Sequence, residues 1–535
     1  MKAKKFLFLA GLAVLLVLAQ SAMLVSAQSE ITFALQNEPD SFDPSVTNNS
    51  FASIFLNNAF EGLTALDPAT GSVTGGNAES WEISEDGTVY TFKLREGLKW
   101  SDGSALTAAD YVYTFQRILT PETTARYLTL VTDYVVNAQA YYDGTATAEE
   151  LGVKALDDTT LEITLLNPTP YFTDLLTMYT FVPVQKATIE ANGDKWTASP
   201  ETYVVNGPFK VSEFNMGESV ILVKNENYWD AETVKLDKVT LRYIKDSATA
   251  LSAYESGEID GSRTVPASDI ARLKAEKAGV VVAPAYGTVY YDFNNKAAPF
   301  DNVLVRKAFN LAIDRESIIY DVVQNDAVPA FSYIAPGYSV DGVDFTDGRS
   351  TFELSEVANV EAAQTALAEA GYPNGEGFPE VELSYYTNDT VKKVVEALAE
   401  MFETNLNVKV NISNEEWAVY YDNHVAGNYQ IGAMGWSGDY LHPMTFLPLY
   451  VTGDPNNLVG YSNPEYDALV TKAQVETDPK AAVAIMQEAD NLASSEYPTL
   501  PLYYKNNMLL MKDTVQGYYL SPTDVLYLKT AYIAE

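Results

Sequence analysis

The chain has 535 residues, 47% hydrophobic and 20% charged, which is a globular mix with ample core material and suggests about three to four domains or lobes. It carries 72 acidic against 34 basic residues (net −38), no cysteine, two histidines and 36 tyrosines. That charge repels a phosphate backbone and excludes nucleic acid as a partner, while the missing thiols exclude disulfides, cysteine catalysis and cysteine-held metals.

At the N-terminus, Lys2, Lys4 and Lys5 precede the apolar run from Phe6 to Leu18, and Val25-Ser26-Ala27 offers a small-residue cleavage site. Residues 1–27 therefore read as a signal peptide, with a membrane anchor helix as the alternative. No cysteine stands at the cleavage site to carry a lipid, and no later segment has ~18 uninterrupted apolar residues, so the expectation is an exported, soluble protein.

Residues 30–110 read as strands and turns, with a hairpin at Asp86-Gly87 and a further turn at Asp102-Gly103. Residues 107–120 predict a helix capped by Thr107. LEITLL at 161–166 predicts a strand closed by Asn167-Pro168. Helices are expected at 301–312 with Asp301 as cap, at 355–370 stopped by Gly371 and Pro373, and at 478–494. Between 381 and 436 the pattern is clearest. Strands at 381–386, 408–412 and 429–436 alternate with helices at 391–406 and 415–425, the second capped by Ser413 or Asn414. This β-α-β-α-β order predicts parallel strands in an α/β lobe.

Ligands of open parallel sheets bind beyond the carboxyl ends of the strands. The third strand of this unit runs into Gly435-Trp436-Ser437-Gly438-Asp439-Tyr440. The glycines permit close backbone approach, the aromatics offer flat faces, and Asp439 in a low-dielectric cleft calls for a bound cation. The plainer alternative is a turn with a capping Asp and a core Trp. A secreted hydrolase working with two carboxylates is a further alternative, with His442 beside Asp439, but no distinctive catalytic spacing stands out. Nickel is disfavoured by the two histidines.

Twelve segments in order give the chain a resemblance to the periplasmic oligopeptide-binding proteins of bacterial ABC importers, the extracellular solute-binding family 5. They are SFDP (41–44), FEGL (60–63), YTFKLREGLKWSDG (90–103), TAADYVYTFQRI (107–118), ELGVKALDD (150–158), PYF (170–172), NGPFKV (206–211), KNENYWD (224–230), SGEIDG (256–261), YYDFNNKAAPFDNVLVRKAFNLAIDRESI (290–318), GWSGDY (435–440) and LPLYY (500–504).

The resemblance implies an α/β, two-lobe periplasmic-binding-protein-like fold (type II, cluster C) with an extra inserted domain. The implied divisions are lobe I from 28–60, 183–290 and 505–535, domain II from 61–182, and lobe III from 291–504. It implies a non-enzymatic receptor in the periplasm, without cofactor, monomeric, that hands an oligopeptide to an ABC permease and its ATPase subunits. A dipeptide or an oligosaccharide is the alternative solute. The peptide lies extended between the lobes, its main chain hydrogen-bonded and its side chains in hydrated pockets. Asp439 stands where the family's carboxylate meets the peptide ammonium. Asn48, Asn49 and Ser50 on one side and Gly435, Trp436 and Ser437 on the other match backbone-binding segments. Tyr127, Tyr290, Tyr503 and Asp292 match positions lining the cleft. The family's basic side chains for the peptide carboxylate are absent: Ala433, Val391 and Asn310 occupy those places. His424 is the remaining basic position, with water, or Arg126 or Arg263 at a different place, as the alternatives. A helix-end role at the C-terminal dipole is the plainer reading of His424.

Overall fold

In the computed structural model, which describes residues 29–534 apart from 49, 326 and 347, one large mixed sheet organises the chain. The signal peptide expected at 1–27 and Asn49 lie outside the described residues. The sheet's main strands are β1 (Glu30–Leu35), β2 (Phe209–Asn215), β3 (Ser219–Lys224), β4 (Lys238–Tyr243), β5 (Gly261–Ser262), β6 (Val280–Phe293), β7 (Val381–Tyr386), β8 (Val410–Glu415), β9 (Ile431–Ser437) and β10 (Thr499–Met511). They lie in the order β8-β7-β9-β6-β10-β5-β1-β4-β3-β2, with Val328–Pro329 pairing on β10.

The segment 381–437 folds as its periodicity dictates: β7 pairs parallel with both β8 and β9. Helix Asp389–Leu406 joins β7 to β8 and shares a core with them, burying Val395, Leu398 and Phe402 with Leu383, Ile431 and Phe309. Its start is fixed by Asn388, whose side chain accepts from the N–H groups of Thr390 and Val391. The next helix, Trp417–Val425, begins later than its spacing suggests. β8 continues to Glu415, so Ser413 and Asn414 are strand residues and Glu416 is the N-cap.

β6 and β10 are 14 and 13 residues long and run antiparallel along each other. Their register breaks between Pro284 and Thr288, opposite Asn506 and Tyr504. Proline supplies no N–H to a ladder, so a bulge is the expected result there. On one side of the break β6 pairs with β9; on the other, β10 leads through β5 to β1. The sheet is therefore two halves joined through two long strands.

A separate antiparallel sheet holds Ala78–Ile83, Val89–Leu94, Thr160–Thr164 and Val153–Asp157 in that order. Its first hairpin turns at Gly87, which adopts φ of +71°. Helix Ala108–Ile118 follows Thr107, whose N–H donates to the Asp110 carboxylate at 2.8 Å. Three expectations need correction. The region 30–110 also contains a helix, Ser50–Ala59. Helix Val303–Leu311 is capped by Asn302, not Asp301, because the Asn302 side chain accepts from Leu304 N–H at 2.9 Å. Helix Val360–Glu369 starts after Asn359, which caps it, rather than at 355. Among the described residues no helix is long and apolar enough to cross a membrane.

Candidate functional site

β9 carries the site because half of one edge is left open. It pairs with β6 over its whole length but with β7 only at Ile431 and Gly432. Ile431 and Ala433 turn their carbonyls away from β6, where they accept from Ser384 Oγ (3.2 Å) and Tyr420 Oη (2.8 Å). Strand backbone alternates with a period of two, so Gly435 and Ser437 present their N–H and C=O groups on that same outward edge. No strand among the described residues pairs with them there. The opposite side explains the glycine: a Cβ on Gly435 would lie 2.8 Å from Thr288 O.

Beyond Ser437 the chain turns sharply. Gly438 N–H donates to Tyr286 O at 2.6 Å, and a Cβ on Gly438 would collide with Tyr338 Oη, so glycine is required. Asp439 follows, anchored by its N–H to Thr445 Oγ1 at 3.0 Å. Its carboxylate accepts from Tyr127 Oη at 3.3 Å. Among the described residues it has no cationic partner. Burial raises its pKa from 3.8 to about 6, and the Tyr127 bond opposes that rise. Burial first, and the Asp439 charge second, hold the Tyr127 phenol protonated and thus a donor.

Asp439 opens on a cavity of about 550 Å³ lined also by Asn48, Tyr127, Ser437, Tyr503 and Lys505. A second cavity of about 410 Å³ takes in Asn48, Tyr290, Asp292, Gly435 and Trp436, with Trp417 and Tyr421 from the helix after β8. The two cavities share Asn48 and follow the open edge of β9 in succession. Trp436 Nε1 has no acceptor among the described residues. Ser50 opens its helix beside Asn48.

His424 is set apart. It lines neither cavity, is buried to 1% exposure, and Gly432 leaves room for its ring. Its Nε2 lies 2.8 Å from Asp292 Oδ2, and its ring stacks on Tyr429 at 3.8 Å. Capture of a ligand carboxylate by His424 is thus corrected by burial, as is an exposed helix-end role. Asp292 reaches the smaller cavity with that carboxylate already engaged. Arg126 is exposed and lines neither cavity; Arg263 lines the larger one but is ion-paired with Asp524. His442 does not act beside Asp439. It stacks on Tyr171 at 4.6 Å, its Nδ1 accepts from Met444 N–H at 3.3 Å, and burial drives its pKa to about 3, so the ring is neutral. Among the described residues no three acidic or imidazole side chains group to hold a metal ion.

Sequence reasoning missed Lys505 and Tyr286. Lys505 stands immediately after the LPLYY segment, which is where a cation on that strand was open to notice. Tyr286 carried no signal, because its role is to accept the turn at Gly438 through its backbone.

A family model for bacterial extracellular solute-binding proteins, family 5 (middle) matches residues 72–458. The oligopeptide-binding protein OppA of Bacillus subtilis is 34% identical over 94% of this chain and 93% of its own. The periplasmic oligopeptide-binding protein OppA of Salmonella typhimurium is 35% identical over 99% of this chain and 98% of its own. The crystal structure of Haemophilus influenzae OppA in complex with the peptide RPPGFSPFR superposes with a TM-score of 0.79 at 32% identity, covering 95% of this chain and all of that one.

Proposed function

The chain belongs to the bacterial extracellular solute-binding proteins of family 5, and from that premise we propose that it is the peptide-capturing component of an ABC importer. It is a receptor rather than an enzyme, exported to the periplasm, and passes its ligand to a permease driven by ATPase subunits. One observation carries this reading: an uncompensated carboxylate, Asp439, ends a strand edge whose N–H and C=O groups at Gly435 and Ser437 are open. An extended peptide satisfies both features together. Its backbone adds to the β9 edge and its ammonium meets Asp439. Main-chain bonding requires no particular side chain, so the reading is of broad peptide specificity. The register break in β6 and β10 supports a hinge there and, with it, lobes divided at 290/291 and 504/505, with 61–182 as the inserted domain.

The test is native mass spectrometry of the protein as purified, followed by titration with free and N-acetylated peptides. Short peptides are expected to co-purify, and acetylation to weaken binding. Breaking a buried pair typically costs ~3–5 kcal/mol, so Asp439→Asn should lose roughly 10²- to 10⁴-fold in affinity while the folded protein stays intact. A co-purified solute without an amine, or equal affinity for free and acetylated peptides, overturns the reading.

A further inference from the structure

Asp439 is one of two unmatched charges on the larger cavity. The other is positive. Lys505 lies on β10 at the register break and lines the cavity. Its Nζ donates to Ser437 Oγ at 2.9 Å, which is a neutral acceptor, and among the described residues it forms no ion pair. Asp524, on the same cavity, is taken by Arg263. Burial lowers the Lys505 pKa, with Asp524 opposing that shift. An ammonium so placed is left costly by its surroundings until an anion arrives. Among the described residues Asp439 and Lys505 form no ion pair with each other: Asp439 accepts from Tyr127 and Lys505 donates to Ser437.

One cavity thus offers a carboxylate without a cation and a cation without a carboxylate. We propose that Lys505 receives the C-terminal carboxylate of the ligand, so that the site selects short peptides with both ends free. This rests on the peptide reading above and adds to it a specificity residue. The enclosed volume, about 550 Å³, is in the range of small-molecule sites and suits a ligand of a few residues. A longer chain carries its carboxylate past Lys505. Room for the lysine stem is made by Gly287, where a Cβ would come within 2.8 Å of Lys505 Cδ.

Trialanine, its C-terminal amide and its N-acetyl form serve as probes, titrated calorimetrically into the ligand-stripped full chain. Amidation should weaken binding to the wild-type protein roughly 10- to 100-fold, the range for a hydrogen bond to a charged group. In Lys505→Met the free acid should fall to the level of the amide, while the N-acetyl penalty at Asp439 persists and reports an intact cleft. Lys505→Arg should restore discrimination against the amide. An amidation penalty that Lys505→Met leaves at wild-type size, or that is absent from the wild type, overturns the assignment. If acetylation is without effect on the wild type, the peptide reading falls as well. An acetylation penalty alone leaves that reading standing and removes Lys505 from it.

Discussion

At the scale of single residues, Asp439 sets a pH window. Its proton is held more tightly in the folded protein (about 6) than in the unfolded chain (3.8). Its burial therefore carries no penalty below about pH 4, and the penalty grows as pH rises to 6. A ligand ammonium reverses this by favouring the ionised carboxyl. Peptide termini do not titrate between pH 5 and 7, with reference values near 3.5 and 7.8, so Asp439 governs that interval. Affinity for a free-ended peptide should drop roughly tenfold per pH unit below about 6 in the wild type, and calorimetry of Asp439→Asn across the same interval should give a flat profile. A slope that survives the substitution assigns the proton elsewhere. The place of Asp439 at a strand mouth was legible in the motif GWSGDY, while its expected role toward an ammonium came from the resemblance. His424 was misread because its burial depends on Asp292 and Gly432, 132 residues upstream and 8 downstream, which no local pattern connects.

At the scale of elements, the open edge of β9 makes a prediction about backbone rather than side chains. Ligand amides that pair with Gly435 and Ser437 should each contribute about 0.5–1.5 kcal/mol. N-methylation of one such amide in a tripeptide should weaken binding several-fold or more, whereas exchanging the central side chain for another of similar size should change affinity little. Equal tolerance of N-methylation would argue that the edge is not used. The β-α-β-α-β unit that creates this edge was readable because helix Asp389–Leu406 is amphipathic and the runs at 381–386 and 429–436 are short and apolar, as strands are. Helix Ser50–Ala59 was not, and the reason is physical. Residues 52–56 and 58–59 are all buried, and the polar residues Ser53 and Asn57 line the larger cavity, so the helix lacks the charged outer face that marks a surface helix. The caps at Asn302 and Glu416 lie one to three residues from their expected places because the neighbouring strand or turn decides where the helix starts.

At the scale of the whole molecule, the net charge of −38 is not evenly tolerated. Aromatic contacts join the segment following the small sheet to the segment following β9: Tyr171 stacks on Tyr440 (6.0 Å) and on His442. Carboxylates oppose the same approach. Asp174, on the short helix Phe172–Leu175, is pushed up to about 7, first by burial and then by the charge of Asp341 in the turn between Ser339–Val340 and Val343–Asp344. Asp454 is raised in the same way, by burial first and with Asp133 adding to it. For Asp174 the sign follows from linkage. The folded state binds the proton more tightly than the unfolded chain, so stability declines as pH rises from about 4, and the loss is complete above about 7. Its size is on the order of a few kcal/mol. Asparagine cannot ionise. Asp174→Asn should therefore melt close to the wild type near pH 4 and a few degrees higher at pH 8, a difference measurable by scanning calorimetry. General repulsion among surface acids, exposed Asp341 included, also grows with pH, but salt screens it over ~10 Å, whereas the cost of burying the Asp174 carboxylate is not a matter of screening. Most of the gap between wild type and Asp174→Asn at pH 8 should persist in 0.5 M salt; if salt abolishes it, the strain lies in the charge of Asp341 and its exposed neighbours and not in the burial of Asp174.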